Sequence, residues 1–85
     1  MSNPREQNFS FTAKQGQYLA YIYFYTKLNG IAPAHTDMQS YFKVTPPTVN
    51  QMIKTLEAKG LIRKKPRAAR SIELMIPVDA LPSIE

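Results

Sequence analysis

The sequence predicts a mainly α-helical domain that closes with a small β-hairpin, which places it in the α+β class. Three segments show the apolar spacing typical of amphipathic helices, and a segment with strand-like alternation follows them. A cationic loop interrupts that last segment at residues 64–70. A chain of 85 residues supports one modest core, since such a chain buries roughly 60 to 65% of its extended surface. We expect one domain at residues 10–75, between a flexible polar arm at 1–9 and a mobile tail at 76–85.

The first helix is predicted to start after Thr12 and to end at Asn29-Gly30. Thr12 suits the N-cap position, and Gln15 stands where a capping box has its second residue. Gly30 accepts the left-handed backbone conformation that commonly ends a helix. These local signals define both ends of the helix.

The two faces of this helix are predicted from its periodicity. A stripe formed by Tyr18, Ile22 and Tyr25 is expected to face the core. The other side has more aromatic surface than a solvated helix needs, so we expect a partner there, such as a second copy of the chain. This candidate partner face consists of Ala20, Tyr23, Phe24 and Lys27.

A helix-turn-helix unit is predicted next. A short second helix begins near His35 or Thr36 and ends at Phe42, and Lys43-Val44 forms a turn. Thr45 is then expected to cap the third helix, and the proline that follows it fits the first helical position. A turn of only about three residues holds two helices at a steep angle. The inward face of the third helix is predicted to comprise Val49, Met52, Ile53 and Leu56.

A hairpin with a cationic tip is predicted to follow Gly60. Residues 61–63 and 71–75 have strand character, and the loop at 64–70 contains a proline that a central strand would not tolerate. The net charge is +5, and seven of the eleven Lys and Arg residues lie between positions 54 and 70. The positive charge is therefore concentrated on the third helix and the hairpin, where it favours an anionic partner.

The order helix, helix, short turn, helix and hairpin is that of a winged helix-turn-helix. The segments FTAKQGQYLAYI, NGIAPAHTDMQSYF and VTPPTVNQMIKTLEAKGLIRK resemble the N-terminal DNA-binding domain of the LexA repressor family. The likeness covers residues 10–75 and is strongest at LEAKGLIR, residues 56–63. It implies a three-helix winged domain that binds double-stranded DNA as a repressor.

Three departures limit what this resemblance implies. Ile31-Ala32 stands where the family usually has an aromatic residue and a proline, and the turn into the third helix is one residue shorter. LexA also has a self-cleaving Ser/Lys peptidase domain that makes it a dimer, and no such sequence follows the wing. We therefore expect neither autoproteolysis nor that route to dimerisation.

The third helix, residues 46–59, is predicted to enter the major groove of DNA, which admits one α-helix. Asn and Gln can pair with an adenine edge, and a threonine methyl can contact a thymine methyl. The wing, residues 64–70, is expected to lie on the flanking backbone and minor groove, and the start of the second helix to hold another phosphate. The predicted base contacts are Thr45, Pro47, Thr48, Asn50, Gln51 and Lys54. The predicted backbone and wing contacts are Thr36, Arg63, Lys64, Lys65, Arg67 and Arg70.

Other classes of function find no support in the sequence. The chain has no cysteine, which excludes disulfides and thiolate metal sites. It has neither a P-loop nor a GxGxxG motif, and no serine in a nucleophile-elbow context. We expect no enzyme activity, cofactor, metal site or small-molecule ligand, and we interpret His35 as a helix-start or phosphate-facing residue. Without a signal-peptide pattern or a membrane-spanning segment, a cytoplasmic, nucleoid-associated protein is expected.

One alternative of a different class stays open. Winged helices also act as protein-interaction modules, and the first helix could be the docking face. The charge distribution favours DNA, because a docking module needs no cations on both the third helix and the hairpin tip.

Overall fold

A computed structural model describes residues 10–82 of the chain. Three helices come first, and a two-stranded antiparallel hairpin follows, so the predicted winged helix-turn-helix of the α+β class is confirmed. In the hairpin, Ile62 pairs with Leu74 and Arg63 with Glu73. The predicted arm at 1–9 and residues 83–85 lie outside the described residues. The elements are α1 (Ala13–Asn29), α2 (His35–Phe42), α3 (Pro46–Ala58), β1 (Ile62–Arg63), β2 (Glu73–Leu74) and a 3-10 helix (Val78–Ala80).

Local hydrogen bonds set both ends of α1 as the sequence predicts. The backbone N–H of Gln15 donates to Thr12 Oγ1 at 3.1 Å, and the backbone N–H of Thr12 donates to Gln15 Oε1 at 3.0 Å. Gly30 has φ 76° and donates its N–H to the Thr26 carbonyl at 2.8 Å. The capping box and the left-handed glycine cap are both confirmed.

The burial of Ala20 shows that the predicted partner face of α1 was partly wrong. It was expected on the exposed partner face, but it is 0% exposed. Gly16 lies one turn earlier on the same side of the helix, and a Cβ atom there would come within 2.9 Å of Phe11 and 3.0 Å of Pro82. Segments near both ends of the described chain therefore cover this side of α1 at Gly16, one turn before the buried Ala20.

Part of the segment after the hairpin packs against the core, although it was predicted to be mobile. Residues 76–82 were assigned to a mobile tail, but Ile76 is 6% exposed and belongs to the core cluster. Ala80 and Leu81 pack against that cluster from the 3-10 helix and its end. A turn of three residues gives no helical or strand-like periodicity, so the sequence pattern could not reveal this contact.

The helix-turn-helix unit closes as predicted, with three residues between α2 and α3. Asp37 Oδ2 accepts the Ala34 N–H at 2.8 Å and so caps the start of α2. Lys43 takes the left-handed conformation, with φ 56°, and ends the helix. Thr45 precedes α3 but makes no side-chain cap; its hydroxyl instead lies 3.0 Å from the Thr48 hydroxyl. The two prolines after Thr45 have no N–H, which leaves fewer donors to cap.

One hydrophobic core joins the three helices, the hairpin and the segment after it. Tyr18 stacks on Phe42 with ring centroids 3.9 Å apart, which connects α1 to α2. Within residues 10–82 no polar or charged residue is buried, apart from the tyrosine of this stack. None of the helices in that range is long and apolar enough to cross a membrane. The best-buried aliphatic side chains of the core are Leu19, Ile22, Met38, Val49, Ile53, Leu56 and Ile62.

Candidate nucleic-acid interface

The outer face of α3 is exposed because the inner face of this helix supplies the core. Val49, Ile53 and Leu56 are buried at helical spacing and Met52 packs beside them, so the opposite side of the helix points outward. All six residues predicted as base contacts are exposed: Thr45, Pro47, Thr48, Asn50, Gln51 and Lys54.

This outer face has two flanks with different neighbours. On one flank, Asn50 Oδ1 lies 2.8 Å from His35 Nδ1 at the start of α2. On the other, Thr48 and Gln51 border an open groove whose far wall is Gln15 of α1. The Gln51 amide donates to Thr55 Oγ1 at 3.4 Å within α3. The amides of Asn50 and Gln51 thus have partners on different helices.

The wing loop takes its shape from Ser71. The Ser71 hydroxyl accepts the Lys65 N–H at 3.0 Å and donates to the Ala68 carbonyl at 2.9 Å. At the base of the hairpin, Arg63 Nε donates to Glu73 Oε1 at 2.8 Å, and both side chains are more than half exposed. This surface ion pair offsets part of the charge of Arg63, whereas Lys65 lies on the exposed loop.

Arg70, a predicted phosphate contact on the wing, has partners within the domain as well. Its Nη1 donates to Tyr25 Oη at 3.0 Å and to Asp37 Oδ2 at 3.0 Å, with the Ala32 carbonyl at 3.4 Å. These contacts turn the guanidinium toward the body of the domain. The Ala34 N–H, followed by the charge of Arg70, lowers the pKa of Asp37 below its usual value. We call the set Arg70, Tyr25 and Asp37 the wing clamp, because it joins the wing to α1 and α2.

A cleft of about 340 Å³ separates the wing from the start of α2. Residues 33–36 form one wall, and Lys64, Arg67 and the residues up to 72 form the other. Thr36, a predicted phosphate contact, is exposed on the first wall. His35 lines the same cleft and also contacts Asn50. The start of α2 therefore lies between the outer face of α3 and the cationic loop, on one side of the molecule.

No metal-binding arrangement occurs among residues 10–82, where no three His, Cys, Asp or Glu residues come close enough to hold an ion. The interface described above consists of amides, hydroxyls and cations. Such groups can bind base edges and phosphates.

Three residues of this surface escaped the sequence analysis in their actual roles. Tyr25 was predicted as core and His35 as a helix-start or phosphate-facing residue, and Asp37 was not singled out. Their contacts with Arg70 or Asn50 join positions 15 to 45 residues apart. No periodic pattern reports contacts of that kind.

The candidate partner face of α1 is smaller than predicted, because Ala20 is buried. Phe24 is 38% exposed and Leu28, one turn further along, is 82% exposed. Tyr23 is half-buried; its ring lies 5.0 Å from that of Phe24, and the Lys27 ammonium sits 5.7 Å above it. An apolar patch of a few side chains remains on this helix.

Comparison with known proteins gives two consistent results. The family model of the iron-dependent repressor N-terminal DNA-binding domain matches residues 10–69. The LexA repressor of Thermosipho melanesiensis is 38% identical over 64 residues, and that of Thermosipho africanus 36% over 64 residues. Each alignment covers 75% of this chain and 32% of the relative, so the chain spans about a third of the length of these curated relatives. The chain belongs to the family of iron-dependent repressor N-terminal DNA-binding domains, and it is a repressor-type, DNA-binding winged helix.

Proposed function

We propose that the protein represses transcription by binding a specific double-stranded DNA sequence, with α3 in the major groove and the wing on the flanking backbone and minor groove. The main support for this proposal is that the outer face of α3, the start of α2 and the wing loop lie on the same side of the molecule. His35 supports it most directly, since it touches Asn50 and also lines the cleft beside Lys64 and Arg67.

Base contacts come from the amides and hydroxyls of α3. Asn50 and Gln51 suit adenine edges, and the methyl group of Thr48 suits a thymine methyl. Lys54 adds a cation on the same exposed surface. The outer face of α3 has no arginine, so bidentate pairing of arginine with guanine is not available to it. We therefore expect a preference for sites that contain A·T pairs.

Phosphate contacts come from the wing and from α2. Within residues 10–82, Lys64, Lys65 and Arg67 have no ion-pair partner, so their charge is available to the DNA backbone. The exposed Thr36 at the start of α2 adds a hydroxyl next to helical N–H groups. Arg63 contributes less, because Glu73 already pairs with it.

Two copies bound to two half-sites would give the specificity that one module lacks. A single winged helix buries only roughly 600 to 1,000 Å² of protein surface on DNA. Symmetric half-sites are the usual solution for helix-turn-helix proteins. Phe24 and Leu28 are the most exposed apolar side chains of α1, and this supports pairing of two copies through that helix.

The test is binding of the protein to a pool of random DNA duplexes at rising salt. Affinity that falls steeply with salt, with enrichment of one sequence over repeated rounds, would support the proposal. Absence of binding even at low salt would reject it and favour the protein-interaction module that docks through α1. Lys14→Gln is a matched control, because Lys14 is a cation of α1, where its ammonium lies over the Phe42 ring.

A further inference from the structure

A side-chain hydrogen bond joins the start of α2 to the outer face of α3. His35 Nδ1 lies 2.8 Å from Asn50 Oδ1. Because an amide oxygen can only accept, Nδ1 holds the proton in this contact. Asn50 is exposed and His35 is half-buried, so solvent or a ligand can reach the pair.

The bond matters for base recognition because an asparagine amide has two orientations. A half-turn about its last torsion exchanges the oxygen and the NH₂ group. Adenine is recognised in one of these orientations, in which the amide oxygen accepts from N6 and the NH₂ donates to N7. His35 uses one lone pair of Oδ1 and leaves the second lone pair and both Nδ2 hydrogens for a base.

We propose that His35 is a positioning residue that sets the base specificity of Asn50 by holding its amide in one orientation before DNA arrives. The inference rests on the proposed function, since it concerns how α3 contacts bases. A side chain that is already ordered loses less freedom on binding. An amide held in one orientation also presents one arrangement of its donor and acceptor to the base, instead of the two that a free amide presents.

The neighbouring amide provides an internal comparison. Gln51 has a longer contact, 3.4 Å, with Thr55 of its own helix. The orientation of Asn50 therefore depends on where α2 lies, and that of Gln51 depends on α3 alone. A change at His35 should alter preference at the base pair that Asn50 contacts and leave the Gln51 position unchanged.

The experiment selects sites from random duplexes with the wild type, Asn50→Ala, His35→Ala, His35→Asn and the double variant His35→Ala/Asn50→Ala. Fluorescence anisotropy then measures the dissociation constants for the selected site and for its single-base variants. Ser40→Ala is the matched control on α2, since Ser40 is exposed. Thermal unfolding of each variant checks that it is folded.

We expect Asn50→Ala to abolish preference at one position and His35→Ala to weaken it there by about threefold to tenfold, the worth of one neutral hydrogen bond. His35→Asn restores most of it, because its Nδ2 can donate from near the place of Nδ1. In the double variant, His35→Ala adds nothing to Asn50→Ala. Binding to an unrelated duplex stays unchanged.

Three results would overturn the inference and leave the proposed function standing. Preference at the Asn50 position could survive His35→Ala, or His35→Ala could weaken all duplexes by one factor, as a backbone contact would. Asn50→Ala could also change no base preference. If the wild type binds no duplex DNA at low salt, the proposed function itself fails.

Discussion

Arg67 and Arg70 are both wing arginines, but replacing them should change the salt dependence of DNA binding differently. Arg67 is exposed on the wing loop and lines the cleft toward α2. Arg70 is held by Tyr25 and Asp37. We expect Arg67→Gln to remove a phosphate contact, and Arg70→Gln to release the wing from the body of the domain without removing such a contact.

The expected salt dependence of DNA binding follows from the number of cations near the DNA that make no ion pair with the described residues. Lys64, Lys65 and Arg67 on the wing are predicted backbone contacts, and we count Lys54 of α3, a predicted base contact, as a fourth cation that offsets phosphate charge. Each contributes about −0.9 to the slope of log K against log salt, which gives about −3.6 for one domain. A fourfold rise in salt then lowers affinity about 150-fold for the wild type and about 40-fold for Arg67→Gln.

Arg70→Gln should keep the wild-type slope of about −3.6 and lower affinity by one common factor at every salt concentration. The physical reason is that a wing without its clamp must be ordered when DNA binds. Tyr25→Phe is the matched control: it removes the hydroxyl that bonds to Arg70 and Asp37 and leaves every charge in place. It should shift affinity in the same direction as Arg70→Gln and by less.

The assay is fluorescence anisotropy with one labelled duplex at several salt concentrations between about 50 and 200 mM, the range over which the effect is large. A slope for Arg70→Gln that is about one unit shallower than that of the wild type would refute the reasoning. That result would mean that the clamp opens on DNA and that Arg70 binds a phosphate after all. An unchanged slope for Arg67→Gln would refute the assignment of the wing as the phosphate contact.

Four further predictions address single residues. Because the pKa of Asp37 is lowered in the fold, its stabilising contribution is complete above its unfolded pKa, about 3.9, and disappears as pH falls through the folded pKa. Urea unfolding of Asp37→Asn should therefore show the largest loss near neutral pH and a shrinking one below about pH 4, and a constant loss would contradict this. Lys43→Gly should raise the free energy of unfolding by about 0.5 to 1 kcal/mol, because glycine adopts the left-handed conformation without strain; a lower midpoint in urea would argue against it. Gln51→Ala should change which sequence wins a selection from random DNA, and an unaltered winner would remove Gln51 from base recognition. Phe24→Glu should weaken self-association in sedimentation experiments, and an unaffected dimer would exclude α1 as the interface.

Most features that depend on neighbours in sequence were predicted correctly, although Thr45 makes no side-chain cap. Thr12 and Gln15 form the capping box, Gly30 ends α1, and three residues separate α2 from α3. The exposure of Asn50 also follows from simple spacing, because its helix buries every third or fourth residue. In each case the groups that interact lie within one or two helical turns, so the sequence alone contains the information.

The errors share a different cause. Ala20 is buried on a side that periodicity marks as exposed, and Phe11 and Pro82 cover that side one turn earlier, at Gly16. Ile76 joins the core from a segment without a repeating pattern. The contacts of Arg70 with Tyr25 and Asp37 were likewise absent from the local pattern, because they join distant parts of the chain.

The sequence by itself determined three helices, a hairpin and an excess of positive charge beside the third helix, because caps, helical spacing and composition are local properties. Only the tertiary structure decided which cations make no ion pair within the domain and which amide is hydrogen-bonded to another helix. Arg70 meets Tyr25 across 45 residues and Asp37 across 33, and His35 meets Asn50 across 15. Such contacts depend on how the helices and the wing pack together, and packing is a property of the whole chain.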